Sequence, residues 1–169
     1  MTKHFVANDS EYERNSIDSV VPERALREVY LAPFEAVVTE AEAWGVMSPY
    51  NRVDETFMGE NQLLLTGVLR DEWGFDGVVV SDWYGTRSTE AAVRAGLDLE
   101  MPGPGHHYGD QLVEAVRAGD VDEPLLHRAV RRLLLLLAPT RPLVDPFHVP
   151  QRALDAPRPL PHAAGRSRQ

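Results

Sequence analysis

The stretch that most limits the fold of this chain is a run of three valines, residues 78–80, followed by Ser81, Asp82 and Trp83. A continuous β-branched run of this length is typical of a strand that is buried on both faces, as in a parallel sheet. In parallel α/β proteins, reactive groups collect at the carboxyl ends of the strands. Asp82 is therefore a candidate reactive carboxylate, and the alternative is that Ser81 or Asp82 only caps the next helix.

Strand and helix patterns alternate along the rest of the chain. Short apolar or alternating runs predict four strands, at residues 3–7, 46–47, 77–81 and 97–101. Helical periodicity predicts helices at residues 21–43 (two pieces meeting near Ala32, with Gly45 as the stop), 61–74, 89–95, 109–118 and 123–137. This order requires parallel strands with right-handed crossovers. The predicted class is α/β, either an open sheet or about four strands of a TIM-type barrel, because eight strands are needed to close one.

Composition indicates one ordinary globular domain of 169 residues, with 43% hydrophobic and 25% charged residues. The longest apolar run, residues 133–138, is far shorter than the roughly 20 residues that cross a bilayer, so no membrane partner is expected. Seven prolines and a polar, arginine-bearing composition follow residue 138, which predicts a disordered tail at 139–169.

Charge and cysteine content limit the partners and the compartment. The net charge is −9, and the acidic residues are concentrated before residue 124, which argues against a nucleic-acid partner. The chain has no cysteine and no signal-like N-terminus, and we therefore expect a reducing, cytoplasmic location.

Polar residues follow each predicted strand. His4 and Asn8, Ser48 and Tyr50, Asp82 and Trp83, and Glu100 would share one rim of a parallel sheet. An aromatic ring beside a carboxylate suits a sugar site, where one carboxylate attacks or activates water and a second carboxyl group protonates the leaving oxygen. Lys3 or His4 would keep Asp82 ionised, and the Tyr50 hydroxyl would donate to it. His106 and His107 have no third ligand at workable spacing, so neither a metal nor another cofactor is expected.

Four segments carry a family resemblance. K-H-F-V-A-N-D-S-E-Y-E-R, V-M-S-P-Y-N-R-V, L-R-D-E-W-G-F-D-G-V-V-V-S-D-W and A-G-L-D-L-E-M-P occur in this order. Together they resemble the later half of the catalytic barrel of family 3 glycoside hydrolases, the β-glucosidase type. The resemblance implies that residues 1–138 are part of that (β/α)8 barrel domain and that a β-glucoside or related oligosaccharide is the carbohydrate substrate.

The resemblance also implies roles for six residues. Asp82 would be the nucleophile of a retaining mechanism, and Lys3 and His4 would bind hydroxyls of the sugar. Tyr50 would hydrogen-bond the nucleophile, while Met47 and Trp83 would line the pocket. Glu100 is expected to be a structural carboxylate rather than the general acid.

The chain also departs from the family pattern. Asp54, Glu55, Met58 and Gly59 replace the familiar residues, so the loop between Val53 and Glu60 should be shaped differently. The first half of the barrel and the acid/base glutamate of a second domain have no counterpart here. The alternatives are therefore a truncated, inactive remnant with weak carbohydrate binding or, less compatible with the pattern of acidic residues, a phosphoryl-accepting receiver domain. Open barrel edges predict self-association.

Overall fold

The computed structural model describes residues 1–140. Of the tail predicted at 139–169, the first two residues belong to the last helix, which ends at Thr140, and residues 141–169 lie outside the described residues. The strands are β1 (Asp18–Ser19), β2 (Gly45–Ser48), β3 (Arg52–Val53), β4 (Thr56–Phe57) and β5 (Val78–Ser81). The helices are α1 (Glu23–Ala25), α2 (Ala32–Thr39), α3 (Glu90–Ala95), α4 (Asp110–Ala118) and α5 (Glu123–Thr140), with π-helical segments at Leu26–Leu31 and Leu63–Glu72 and a 3-10 turn at Met58–Glu60.

Parallel pairing of β2 with β5 forms the centre of the fold. The register joins Gly45 to Val78 and Ser48 to Ser81, and every residue of β5 is buried, as the valine run predicts. Isolated parallel bridges join Thr2 to Val46 on one side and Val80 to Leu99 on the other. The described parallel segments thus follow the order Thr2, β2, β5, Leu99, within a mixed α/β structure.

The two outer strands are shorter than predicted, and each is reduced to a single bridge. At residues 3–7 the cause is a turn that buries Phe5 and Val6 in the core instead of extending the strand. At residues 97–101, side chains take over strand bonds: Val79 N–H donates to the Asp98 carboxylate (2.9 Å), and Met101 N–H donates to the Ser81 hydroxyl (2.8 Å). Regular backbone pairing at residues 97–101 is therefore limited to the bridge between Val80 and Leu99.

Two helix boundaries illustrate how local signals work in this chain. The Asn61 side chain accepts the N–H of Leu64 at 3.0 Å, so it caps the following segment as predicted. The prediction that Gly45 stops the second helical piece is wrong, because α2 ends at Thr39 and Gly45 is the first residue of β2. A Cβ at Gly45 would lie 2.9 Å from the flexible end of the Met1 side chain, which can move aside.

A small mixed sheet, which the sequence does not predict, lies beside the central pair. β1 runs parallel to β3, and β3 turns back antiparallel into β4. The turn is held by the Asp18 carboxylate, whose two oxygens each lie 3.0 Å from the N–H of Glu55. The loop at 53–60 therefore forms a hairpin and a 3-10 turn.

The core packs between the strands and helices. Phe5 contacts Phe34 and Trp73 edge to face, with ring centroids 5.2 and 6.1 Å apart. Leu65 and Leu69 of the Leu63–Glu72 segment pack into the same cluster as Val79. This packing fixes β5, and with it the position of the residues that follow the strand. Within residues 1–140, no helix combines the length and the apolar character needed to cross a membrane.

Candidate active site

Asp82 follows β5 directly and is anchored by its backbone to the neighbouring strand. Its N–H donates to the carbonyl of Ser48 at the end of β2 (2.9 Å), and its own carbonyl accepts the N–H of Gly85 (2.9 Å). The N–H of Trp83 donates to Asp82 Oδ1 at 2.7 Å. The carboxylate is therefore held at the carboxyl ends of β2 and β5, with its side chain only 13% exposed.

His4 and Tyr50 both contact the Asp82 carboxylate. His4 Nε2 lies 3.1 Å from Asp82 Oδ2, and the Tyr50 side chain is hydrogen-bonded to the same residue. An ionised carboxylate only accepts hydrogen bonds, so the His4 Nε2 and the Tyr50 oxygen must carry the protons. Asp82 thus has a nitrogen within hydrogen-bond distance of each oxygen, Trp83 N–H at Oδ1 and His4 Nε2 at Oδ2.

The electrostatic surroundings of Tyr50 match this arrangement. Burial raises the pKa of the Tyr50 phenol above its usual value of 10.0, and the hydrogen bond and the charge of Asp82 raise it further. The charges of Arg14 and Arg87 oppose the shift. The Arg14 guanidinium lies over the Tyr50 ring, 5.1 Å from its centroid. Tyr50 therefore remains a protonated donor at neutral pH.

The other three predicted site residues are placed differently. Trp83 is 56% exposed beside Asp82, where its ring is available to a ligand. Met47 is half-buried in β2, paired with Val80 of β5. Lys3 is exposed and borders a groove of about 450 Å3 that His4, Asn8 and Asp9 also line. The structure brings His4 and Tyr50 into contact with the Asp82 carboxylate, and Trp83 is next to Asp82 in the chain.

Glu100 holds the loop that follows the Leu99 bridge. Its buried carboxylate accepts backbone N–H groups from His106, His107 and Tyr108 at 2.7 to 3.2 Å. A Cβ at Gly105 would collide with this carboxylate, so only glycine fits at that position. With both oxygens engaged, Glu100 serves the loop structure. The loop brings His106 to within 6.2 Å of the Tyr84 ring, measured between centroids.

Sequence reasoning missed three residues near Asp82. Arg14 and Arg87 set the charge around Tyr50, and the buried Asn51 donates to the carbonyls of Val6 and Ala7, each at 3.2 Å, which fixes the turn after His4. Arg14 and Asn51 belong to motif segments quoted above, but periodicity gives no signal for contacts between distant segments. In the described part of the chain, no group of three or more acidic or histidine side chains is arranged to hold a metal ion.

A buried strand delivers a carboxylate to the carboxyl ends of a parallel α/β core, with an aromatic residue next to it, and this arrangement suits a carbohydrate site. Residues 1–136 match the family model described as the glycosyl hydrolase family 3 N terminal domain. The chain belongs to this family.

Relatives with known names extend the comparison. A β-glucosidase of Rhizobium radiobacter is 52% identical over 155 residues, which cover 92% of this chain and 19% of that protein. A probable β-glucosidase I of Neosartorya fischeri is 45% identical over 155 residues, covering 92% of this chain and 18% of that protein. The chain therefore spans about a fifth of the length of the relatives it matches.

Solved structures agree on the fold. The family 3 β-glucosidase of Bifidobacterium adolescentis superposes with a TM-score of 0.78 at 39% identity, covering 90% of this chain and 23% of that one. β-Glucosidase 3B of Thermotoga neapolitana in complex with glucose gives a TM-score of 0.75 at 41% identity, covering 80% and 20%. These structures share the fold of the part of this chain that they cover.

Proposed function

We propose that this chain forms part of the (β/α)8 barrel of a retaining β-glucosidase and carries its nucleophile, Asp82. The observation on which the proposal rests is the contact of the Asp82 carboxylate with His4 and Tyr50 at the carboxyl ends of β2 and β5. A carboxylate that is held in place by contacts with two side chains is suited, in its ionised form, to attack a sugar carbon. The names of the relatives, and the glucose bound in one solved neighbour, support a β-glucoside as the substrate.

In the proposed reaction, an oxygen of Asp82 attacks the anomeric carbon and forms a glycosyl ester as the bond to the leaving oxygen breaks. An acid residue outside the described part of the chain protonates the leaving oxygen, and water then hydrolyses the ester. Glu100 does not supply that proton, because its carboxylate already accepts three backbone N–H groups.

The surrounding side chains have proposed binding roles. Lys3 and His4 donate to sugar hydroxyls, and the exposed ring of Trp83 stacks on the apolar face of the substrate. Met47 lines the floor from β2. Tyr50 orients the nucleophile through its hydrogen bond. These residues bind and position the sugar but do not take part in bond breaking.

The test uses a glucoside whose leaving group does not need protonation by the acid residue. In a 2-deoxy-2-fluoro-β-glucoside with a dinitrophenyl leaving group, the dinitrophenolate departs without being protonated. The fluorine on the sugar then slows hydrolysis of the glycosyl ester. We expect mass spectrometry to find one fluoroglucosyl group on the peptide that contains Asp82. Asp82→Asn should abolish the label, and Asp76→Asn, an exposed aspartate before β5, should leave it unchanged. Labelling that persists in Asp82→Asn would contradict the proposal.

The alternative of an inactive remnant stays a prediction from the sequence. It predicts weak glucose binding by calorimetry with no label on Asp82. A labelled wild-type chain excludes it. A cytoplasmic location stays a prediction from the sequence.

A further inference from the structure

A cavity of about 560 Å3 lies between the Leu63–Glu72 segment, α3 and α5. Its lining includes Asp76, just before β5, and Gly96 and Leu97, just before the Leu99 bridge. The cavity is therefore at the amino ends of the parallel segments, and Asp82 is at their carboxyl ends. We call it the arginine cavity, after the side chains that line it.

The charge of the arginine cavity is opposite to that of the whole chain. Five arginines and three aspartates line it, an excess of two positive charges in a chain whose net charge is −9. The arginines are Arg70, Arg94, Arg128, Arg131 and Arg132, and the aspartates are Asp71, Asp76 and Asp98. The arginines repel one another, which is unfavourable, and a bound anion would offset this repulsion.

The most buried of these charges form a triad of two arginines, Arg70 and Arg132, and one carboxylate, Asp98. Arg70 Nη2 lies 2.7 Å from Asp98 Oδ2, and Arg132 Nη1 lies 2.8 Å from Asp98 Oδ1. The side chains of Arg70, Asp98 and Arg132 are 8%, 1% and 18% exposed. Two buried guanidinium groups thus share one carboxylate. A buried charge without full compensation is unfavourable, so the triad favours the entry of a negative group.

One donor of the triad has no partner among the described residues. Arg70 Nη1 donates to the carbonyls of Phe75 and Gly77, and Nη2 donates to Gly96 and Asp98, but the buried Nε has no acceptor. A Cβ at Gly96 would lie 3.4 Å from this Nε and 3.1 Å from Thr66 Oγ1. This Nε is sealed by the surrounding protein atoms, so its unmet hydrogen bond adds to the uncompensated positive charge of the triad.

We infer that the arginine cavity binds a small ligand through a phosphate group. A phosphate dianion matches the excess of two positive charges, and its oxygens accept hydrogen bonds from several guanidinium groups at once. The exposed Arg128 and Arg131 of α5 would donate to the phosphate oxygens, and the buried charges of Arg70 and Arg132 would attract the dianion. This inference does not depend on the proposed glycosidase function.

The experiment titrates the full chain with inorganic phosphate, with ionic strength held constant by sodium chloride. We expect saturable binding of one phosphate by calorimetry, together with a shift of the Arg70 Nε–H resonance in a nitrogen-edited spectrum. Arg128→Gln combined with Arg131→Gln should weaken binding at least about tenfold, because both exposed arginines contribute charge-assisted hydrogen bonds. The matched control is Arg24→Gln with Arg117→Gln, which removes two exposed arginines elsewhere and should leave binding unchanged.

A parallel titration with glucose 6-phosphate identifies the source of the phosphate. Tighter binding of the ester supports an organic phosphate as the ligand, and equal binding supports inorganic phosphate. Heats that never saturate in the wild-type chain overturn the inference. So does an equal loss of affinity in the two double variants, because it would mean a general charge effect.

Discussion

His4 Nε2 lies 3.1 Å from Asp82 Oδ2, although the two residues are 78 positions apart in the chain. The turn after His4 is fixed by Asn51, and Asp82 is fixed by its backbone bond to Ser48. The contact is therefore built by three separate segments that meet at the ends of β2 and β5. It is also the contact that the proposed chemistry requires.

Replacing His4 should slow the reaction of Asp82. His4→Ala removes a hydrogen bond to a charged group, which contributes about 1.5 to 3 kcal/mol, so we expect labelling by the activated fluoroglucoside to slow about 10- to 100-fold. The rate is measured by mass spectrometry over time. His127→Ala, which removes an exposed histidine on α5, serves as the control. Equal labelling rates for the two variants would show that His4 does not assist the reaction of Asp82.

The raised pKa of the buried Tyr108 predicts that the folded chain loses stability at alkaline pH. Burial, followed by the charges of Asp98 and Glu100, raises the pKa of Tyr108, and its hydroxyl donates to the carbonyl of Leu97 at 2.7 Å. Above pH 10 the unfolded chain releases this proton while the folded chain keeps it. The free energy of unfolding should therefore fall by about 1.4 kcal/mol per pH unit for each such tyrosine.

Urea unfolding between pH 8 and 11 measures this slope. Tyr108→Phe has no proton to release, so we expect its slope to be shallower by one proton, together with a loss of about 1 kcal/mol at neutral pH from the missing hydrogen bond. Tyr12→Phe changes an exposed tyrosine and should keep the wild-type slope. If Tyr108→Phe keeps it as well, another group controls the alkaline behaviour.

Local features of this chain were predictable from sequence, and long-range ones were not. The buried valine run, the Asn61 cap and the left-handed Gly74 at the end of its helical segment depend on neighbouring residues, and all three are present. The pairing of β1 with β3 and the position of Arg14 over Tyr50 depend on contacts between segments tens of residues apart. Periodicity contains no information about such contacts.

The error at Gly45 has the same origin. Glycine after a helical pattern is commonly a C-terminal cap, and the rule holds at Gly74 and Gly96, which have φ values of +73° and +102°. At position 45, tertiary packing decides instead, because the residue pairs with Val78 and lies against the Met1 side chain. A local signal was overruled by the requirement to pair two strands.

The Asp98 carboxylate should be one of the most sensitive core positions. Asp98→Asn leaves Arg70 and Arg132 buried without a counter-charge, and breaking a buried pair from one side costs about 3 to 5 kcal/mol. The free energy of unfolding in urea measures the loss. Asp54→Asn, at an exposed turn, should change it by less than about 0.5 kcal/mol. Similar values for the two variants would show that the triad is not buried in solution.

The outer sides of the parallel segments predict self-association. Thr2 and Leu99 each bridge to one strand only among the described residues and use their own N–H and C=O groups there, so the residues that flank them can pair with a second copy of the chain on the outer side. Sedimentation velocity should therefore detect dimers or larger species at micromolar concentrations.

α5 also exposes Leu134 and Leu135, by 56% and 48%, so this apolar surface is a competing cause of self-association. Leu134→Glu combined with Leu135→Glu separates the two: association through strand edges persists in this variant, and association through α5 is lost. A cooperative monomer for the wild-type chain contradicts both.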